Sequence, residues 1–152
     1  MSTINGLPAH VLLVHVIVVF VPLTALTLVL CAVWPGARQR LIGPAVVLAV
    51  VTAALTPVAI AAGETFEKRF SPSELLQQHT DLGGAMNYFV APLLVAAAAL
   101  LVVQIRERRR KPLNRQIVWV IAVLTIVVSI AATVQIYRVG ESGSRAVWGQ
   151  MT

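Results

Sequence analysis

The chain has 152 residues, of which 58% are hydrophobic and only 12% are charged. Soluble domains contain about 45–50% apolar and about 25% charged residues, so this composition excludes an ordinary soluble domain and predicts an integral membrane protein. The net charge of +6 does not indicate nucleic-acid binding, because the sequence has no basic face with interleaved aromatic residues. A single cysteine, Cys31, excludes an internal disulfide.

Four apolar stretches are long enough to cross a bilayer, which takes about 20 residues in a helix. They cover about 9–34, 42–63, 84–105 and 117–137. Together they account for most of the chain. The sequence therefore predicts an all-α fold, a single transmembrane domain over 1–152 built as a four-helix bundle in the lipid bilayer.

The basic residues predict the orientation of this bundle. Eight of the 12 lysines and arginines lie in the connectors 34–41 and 106–116. Short loops rich in Lys and Arg remain in the cytoplasm. We therefore expect both connectors to be cytoplasmic, and both termini and the middle loop to be extracytoplasmic.

The middle loop contains a helix start signal. Ser71-Pro72-Ser73-Glu74 is typical of a capping box, with Ser71 as the N-cap and Pro72 at the first helical position. A helix is expected from about residue 72, continuing without interruption into the third span.

One stripe of this predicted helix is apolar apart from a histidine. It consists of Leu75, His79, Leu82 and Met86, spaced as one face of a helix. The pattern predicts that His79 points inward. Gly83 and Gly84 add a smooth patch beside it, suited to a tightly packed neighbour or a flat ligand.

The three histidines are the chemical signal of the chain. His10 and His15 open the first span, and at about 100° per residue they point about 140° apart, so one compact site cannot use both equally. Ionisable groups inside a bilayer are costly and commonly mark ligand sites or relays. His15 is therefore the histidine that most needs an explanation.

Several interpretations of the histidines are open. His15 and His79 could ligate a b-type haem beside Gly83 and Gly84, or His10, Glu64 and His79 could hold a transition metal. Alternatively, His15 donates to a backbone carbonyl and the others are ordinary interfacial side chains. A small transporter or pH sensor, in which the histidines titrate, is a further possibility. Because the sequence contains no catalytic motif, we do not expect an enzyme.

Four segments resemble the DUF2231 family of small bacterial membrane proteins. They are INGLPAHVLLVHVIVVFVPL, AAGETFEKRF, LLQQHTDLGGAM and VGESGSRAVWG. The resemblance implies a four-span protein of the bacterial plasma membrane, with His10, His15, Glu64 and His79 at motif positions. Val11, Val16 and Glu141 depart from the usual pattern, which often has proline, phenylalanine and histidine there.

We therefore expect a non-catalytic membrane protein that holds haem b or a metal for electron transfer, or as an accessory subunit of a membrane complex. The alternative is a cofactor-free structural or assembly subunit. Expected partners are the bilayer and other membrane subunits or a second copy, and no nucleic acid.

Overall fold

The computed structural model describes the backbone of residues 3–4, 7–67 and 73–148, and the side chains of residues 12–65 and 73–145. Five helices make up almost all of this part of the chain, which confirms the all-α prediction. The helices are α1 (Ala9–Val33), α2 (Pro35–Glu67), α3 (Glu74–Gly84), α4 (Met86–Arg108) and α5 (Arg115–Trp148). Two strands of two residues each, β1 (Thr3–Ile4) and β2 (Leu7–Pro8), pair antiparallel before α1.

Four helical stretches are long and apolar enough to cross a membrane. They are Leu12–Val33, Pro35–Thr65, Glu74–Arg108 and Arg115–Arg145. The described residues thus contain as many candidate spans as predicted, and that all four cross the membrane stays a prediction. Since four is an even number, α1 begins and α5 ends at the same end of the bundle. Which side of the membrane this end faces stays a prediction.

The four long helices form a ring in the order α1, α2, α4 and α5. Their shared core consists of aliphatic side chains such as Val21, Leu28, Leu93 and Leu100, each at most 1% exposed. Large apolar side chains on the outside of the ring are exposed, Leu26 by 58% for example. Such exposure fits a surface that faces lipid rather than water.

The junction between α1 and α2 is tighter than the sequence suggested. Only Trp34 separates the two helices, so α2 includes residues 35–41 of the predicted connector 34–41. A residue before proline is disfavoured in the α conformation, and Pro35 suits the first position of the next helix. The chain therefore turns at Trp34 and Pro35 without a loop. Arg38, which we expected in a connector, lies within α2.

The helix of the middle loop begins slightly later than predicted. Its N-cap is Ser73, whose Oγ accepts a hydrogen bond from the amide of Leu76 at 3.2 Å. Glu74 then occupies the first turn, where a carboxylate favours the helix dipole. The expected cap Ser71 and Pro72 lie outside the described residues.

The predicted continuous third helix is interrupted at Ala85, between α3 and α4. The Tyr88 amide donates to the Ala85 carbonyl, three residues back, as in a tightened 3₁₀ turn. Gly83 and Gly84 directly precede the break, and glycine is the poorest helix former after proline. Because Ala85 keeps right-handed helical angles, α3 continues the course of α4 beyond the ring. There it packs mainly against α5 and, less extensively, α2.

Candidate functional site

The end of the bundle where α3 packs on α5 carries His79, and we call it the histidine end. Nδ1 of His79 lies 2.9 Å from Oγ of Ser142 on α5. Ser142 is buried and His79 is half-buried. The structure therefore has His79 pointing inward, as predicted, with its ring packed against α5.

The hydrogen bonds of Ser142 link the tautomer of His79 to the direction in which the hydroxyl donates. The Ser142 hydroxyl can donate to the Val139 carbonyl at 2.9 Å, and a serine hydroxyl has only one hydrogen to donate. With the hydroxyl donating to Val139, the oxygen accepts from His79 and Nδ1 carries the hydrogen; with the hydroxyl donating to Nδ1, the hydrogen of the neutral ring is on Nε2. In the first arrangement the lone pair of the neutral imidazole is on Nε2, the usual tautomer of a histidine whose Nε2 binds metal.

Gly143 allows this close approach of ring and helix. A Cβ added at Gly143 would lie 3.1 Å from Cε1 and 3.4 Å from Nδ1 of His79. The shorter distance is tighter than ordinary van der Waals contact, so a larger residue would require the ring to shift by a few tenths of an ångström. The small residues around Ser142 thus form the surface of α5 against which the imidazole packs.

A second polar contact fixes α3 to α5. Nε2 of Gln135, a residue that is 4% exposed, donates to the Leu82 carbonyl at 2.9 Å. Leu82 lies three residues after His79, so the two contacts hold consecutive turns of α3. At 1.5 Å per residue, His79 and Ser142 lie roughly 7 Å beyond the predicted apolar spans 84–105 and 117–137.

The structure places the predicted haem partners around this end without joining them directly. His15 is exposed on α1, and α1 is not among the main neighbours of α3 in the described residues. A Cβ added at Gly83 or Gly84 would meet nothing within 4 Å, so the surface beside both glycines is open. The pairing of His15 with His79 stays a prediction, and it requires a group inserted between α1 and α3.

The predicted metal ligands are placed only in part. Glu64 is exposed near the end of α2, while the side chain of His10 lies outside the described residues. Among the side chains that are described, no three His, Cys, Asp or Glu come together in a way that could hold a metal ion. The trio of His10, Glu64 and His79 therefore stays a prediction.

The opposite end, which we call the basic end, contains an ion pair that the sequence did not reveal. Arg38 is only 2% exposed, and its Nη2 lies 2.7 Å from Oε1 of Glu107 on α4, which is 32% exposed. Its Nη1 donates to the Cys31 carbonyl at 3.1 Å. That carbonyl would normally accept from residue 35, but Pro35 has no N–H to donate. Arg38 thus joins α2 to α4 and also caps α1.

Two features of the sequence point to this ion pair in retrospect. Glu107 is the only acid in the run RERRRK, and Pro35 leaves a carbonyl of α1 without a donor. Neither feature identifies Arg38 rather than Arg40 as the partner, because that choice depends on how α2 rotates against α4. The sequence placed Arg38 in a connector, whereas the structure has it within α2 with its side chain buried.

Comparison with known proteins identifies a family. A family model described as "Predicted membrane protein (DUF2231)" matches residues 6–152. Neither a curated protein nor a solved structure matches the chain. Because the match covers nearly the whole sequence, the chain belongs to the DUF2231 family, as the four resembling segments suggested.

Proposed function

We propose that this DUF2231 membrane protein holds a redox cofactor at its histidine end, with His79 as a ligand, and acts in electron transfer or as an accessory subunit of a membrane complex. A b-type haem is the first candidate and a transition metal the second. The lipid bilayer is its environment, and other membrane subunits or a second copy are its expected partners.

One observation carries this proposal: the hydrogen bond between Nδ1 of His79 and Ser142, at 2.9 Å. Histidines that ligate metals almost always donate their other ring N–H to a fixed acceptor, which sets the tautomer and the ring orientation. Ser142 can have this role toward His79, because the Val139 carbonyl is an alternative acceptor for its own hydrogen. In that arrangement the imidazole is oriented in the way that ligation requires.

The surroundings of His79 suit a ligand of this kind. The ring is half-buried, so a cofactor bound there would be partly shielded from bulk water yet close to a soluble donor or acceptor. The open surface at Gly83 and Gly84 gives a planar group room next to the ring. His15 on α1 remains the preferred second axial ligand, because bis-histidine ligation needs a second helix.

The same contact also favours a second candidate function. His79 with Ser142, and Gln135 with Leu82, hold α3 against α5, which would suffice in a cofactor-free structural or assembly subunit. In that case the role of His79 would be helix docking alone. The two functions differ in whether purified protein contains a chromophore or metal.

The test is an absorbance spectrum of protein purified in mild detergent from haem-sufficient cells, first oxidised and then reduced with dithionite. The proposal predicts a Soret shift and an α band, or else stoichiometric metal by elemental analysis. His79→Ala should remove the signal, whereas Gln135→Leu, which loosens α3 without touching the ring, should keep it. A featureless spectrum together with no Fe, Cu or Zn would leave the structural function.

A further inference from the structure

The basic end has an exposed cationic surface that the proposed function does not use. We call it the basic turn and define it as residues 106–111. All of its cationic side chains are exposed, namely Arg106, Arg108, Arg109, Arg110 and Lys111. The one acid in this segment, Glu107, has its carboxylate bound by the buried Arg38 at 2.7 Å. The cations of the basic turn are therefore not neutralised from within the segment.

The backbone of the basic turn carries a second, independent signal. The Lys111 amide donates to the Arg106 carbonyl at 3.0 Å, and the Arg110 amide to the Glu107 carbonyl at 3.1 Å. These two bonds form a Schellman motif, whose left-handed position usually holds glycine. Here the position holds Arg110, with φ of 54°. A residue with a Cβ is strained in this conformation, whereas glycine is not.

Strained backbone positions concentrate at functional sites, so an arginine at this position is informative. Glycine would end α4 equally well and without strain, but it would remove a positive charge from the tip of the turn. The arrangement indicates that the charge of Arg110 is used. The ligand must be anionic and must reach an exposed turn at the end of the bundle.

The position of the basic turn identifies the source of that anion. Trp34 and Trp119 are 64% and 61% exposed near the same end, and exposed tryptophans mark the membrane–water interface. The turn therefore lies at headgroup level. Clusters of four to eight Lys and Arg beside a membrane helix are typical of binding to anionic lipids, and guanidinium groups pair with phosphate in a bidentate manner.

We propose that the basic turn binds the phosphate of an anionic phospholipid, with Arg110 as a direct contact. This site lies at the end of the bundle opposite His79 and is independent of any cofactor. Arg108, whose Nη2 donates to the Gln39 carbonyl at 3.3 Å, belongs to the same surface and connects it to α2.

The test uses quenching of tryptophan fluorescence by brominated lipids. A Trp148→Phe background leaves Trp34 and Trp119, both at the basic end, as the reporters. The protein is reconstituted into vesicles of brominated phosphatidylglycerol or brominated phosphatidylcholine mixed with unlabelled lipid. The proposal predicts at least a threefold preference for the anionic lipid, and inorganic phosphate at constant ionic strength should not displace it. A preference near one, or displacement by free phosphate, would overturn the assignment.

Two matched variants separate Arg110 from charge alone. Arg110→Gly and Arg109→Gly each remove one positive charge, but Arg109 has right-handed angles, φ −81° and ψ 7°. Arg110→Gly should remove most of the preference while raising the melting temperature in detergent. Arg109→Gly should keep most of the preference and lower the melting temperature. An equal loss of preference in both variants would show that Arg110 has no special contact.

Discussion

Both ends of the bundle hold a polar side chain between helices, but the hydrogen-bond partners of the two side chains differ. At the basic end the fully charged Arg38 is buried and bound on two sides, by Glu107 and by the Cys31 carbonyl. At the histidine end the His79 imidazole is half-buried, and its Nδ1 lies 2.9 Å from the Ser142 hydroxyl. A buried charge with both partners in place is costly to disturb, whereas the imidazole remains partly accessible to solvent. Arg38 and Glu107 therefore form a structural ion pair, whereas His79 is a candidate ligand.

The largest effect on stability should follow from breaking the ion pair between Arg38 and Glu107 at the basic end. Glu107→Gln leaves the buried Arg38 without a countercharge, and removing one partner of a buried pair costs about 3 kcal/mol or more. We expect a loss of about 3 kcal/mol in the free energy of unfolding, near the low end because Glu107 is one-third exposed. Unfolding in mixed micelles of a mild detergent and SDS measures it.

Glu141→Gln is the matched control for this variant. Glu141 pairs with Arg145 at 2.6 Å, but both side chains are well exposed, at 42% and 66%, and exposed i, i+4 pairs contribute only about 0.3–0.5 kcal/mol. Similar losses of unfolding free energy in the two variants would mean that the burial of Arg38 does not strengthen its ion pair with Glu107.

An intermediate effect on stability should follow at the histidine end when a Cβ is added at Gly143, next to the His79 ring. Gly140→Ala, with nothing within 4 Å of the added Cβ, should stabilise α5 by up to about 1 kcal/mol through helix propensity. Gly143→Ala has the same propensity gain, but its Cβ meets the His79 ring at 3.1 Å. We expect the Gly143 variant to be at least about 1 kcal/mol less stable than the Gly140 variant. Equal gains would show that the ring shifts without cost and is not held tightly against Gly143.

The smallest effect on stability should come from removing the hydroxyl that orients His79. Ser142→Ala removes the hydrogen-bond partner of Nδ1 on α5, which costs about 1 kcal/mol. If His79 binds a cofactor, the same variant should weaken that binding by about 10–100-fold, the usual consequence of losing the partner of a ligating histidine. Ser144→Ala is the control, since Ser144 donates to the Glu141 carbonyl on the exposed face. A Ser142 variant that behaves like the Ser144 variant would argue against an orienting role.

The sequence predicted those parts of the fold that depend on local composition. Four apolar stretches predicted four spans because a bilayer needs about 20 apolar residues per helix. The inward orientation of His79 followed from its spacing with Leu75 and Leu82 on one helical face. Helix ends were predicted less well, because helices such as α5 extend well beyond the apolar segment that reveals them.

The contacts between helices could not be predicted, because they depend on how each helix rotates against its neighbours. The acceptor of His79 is Ser142, 63 residues away, in a segment notable only for its small residues. The partner of Arg38 is Glu107, 69 residues away. Glu107 stands among basic residues of its own segment, so the sequence did not indicate a distant partner. The haem pairing of His15 with His79 rested on their positions in different helices and on the room beside Gly83 and Gly84, whereas α3 packs mainly on α5.

The difference spectrum between reduced and oxidised protein, recorded side by side for the wild type and His79→Ala, tests the central claim most directly. Both proteins are purified from haem-sufficient cells and shown to be folded by size-exclusion chromatography. Our account predicts a b-type α band in the wild type that is lost in the variant. The same spectrum for both proteins, whether featureless or with an unchanged α band, would contradict His79 as a haem ligand.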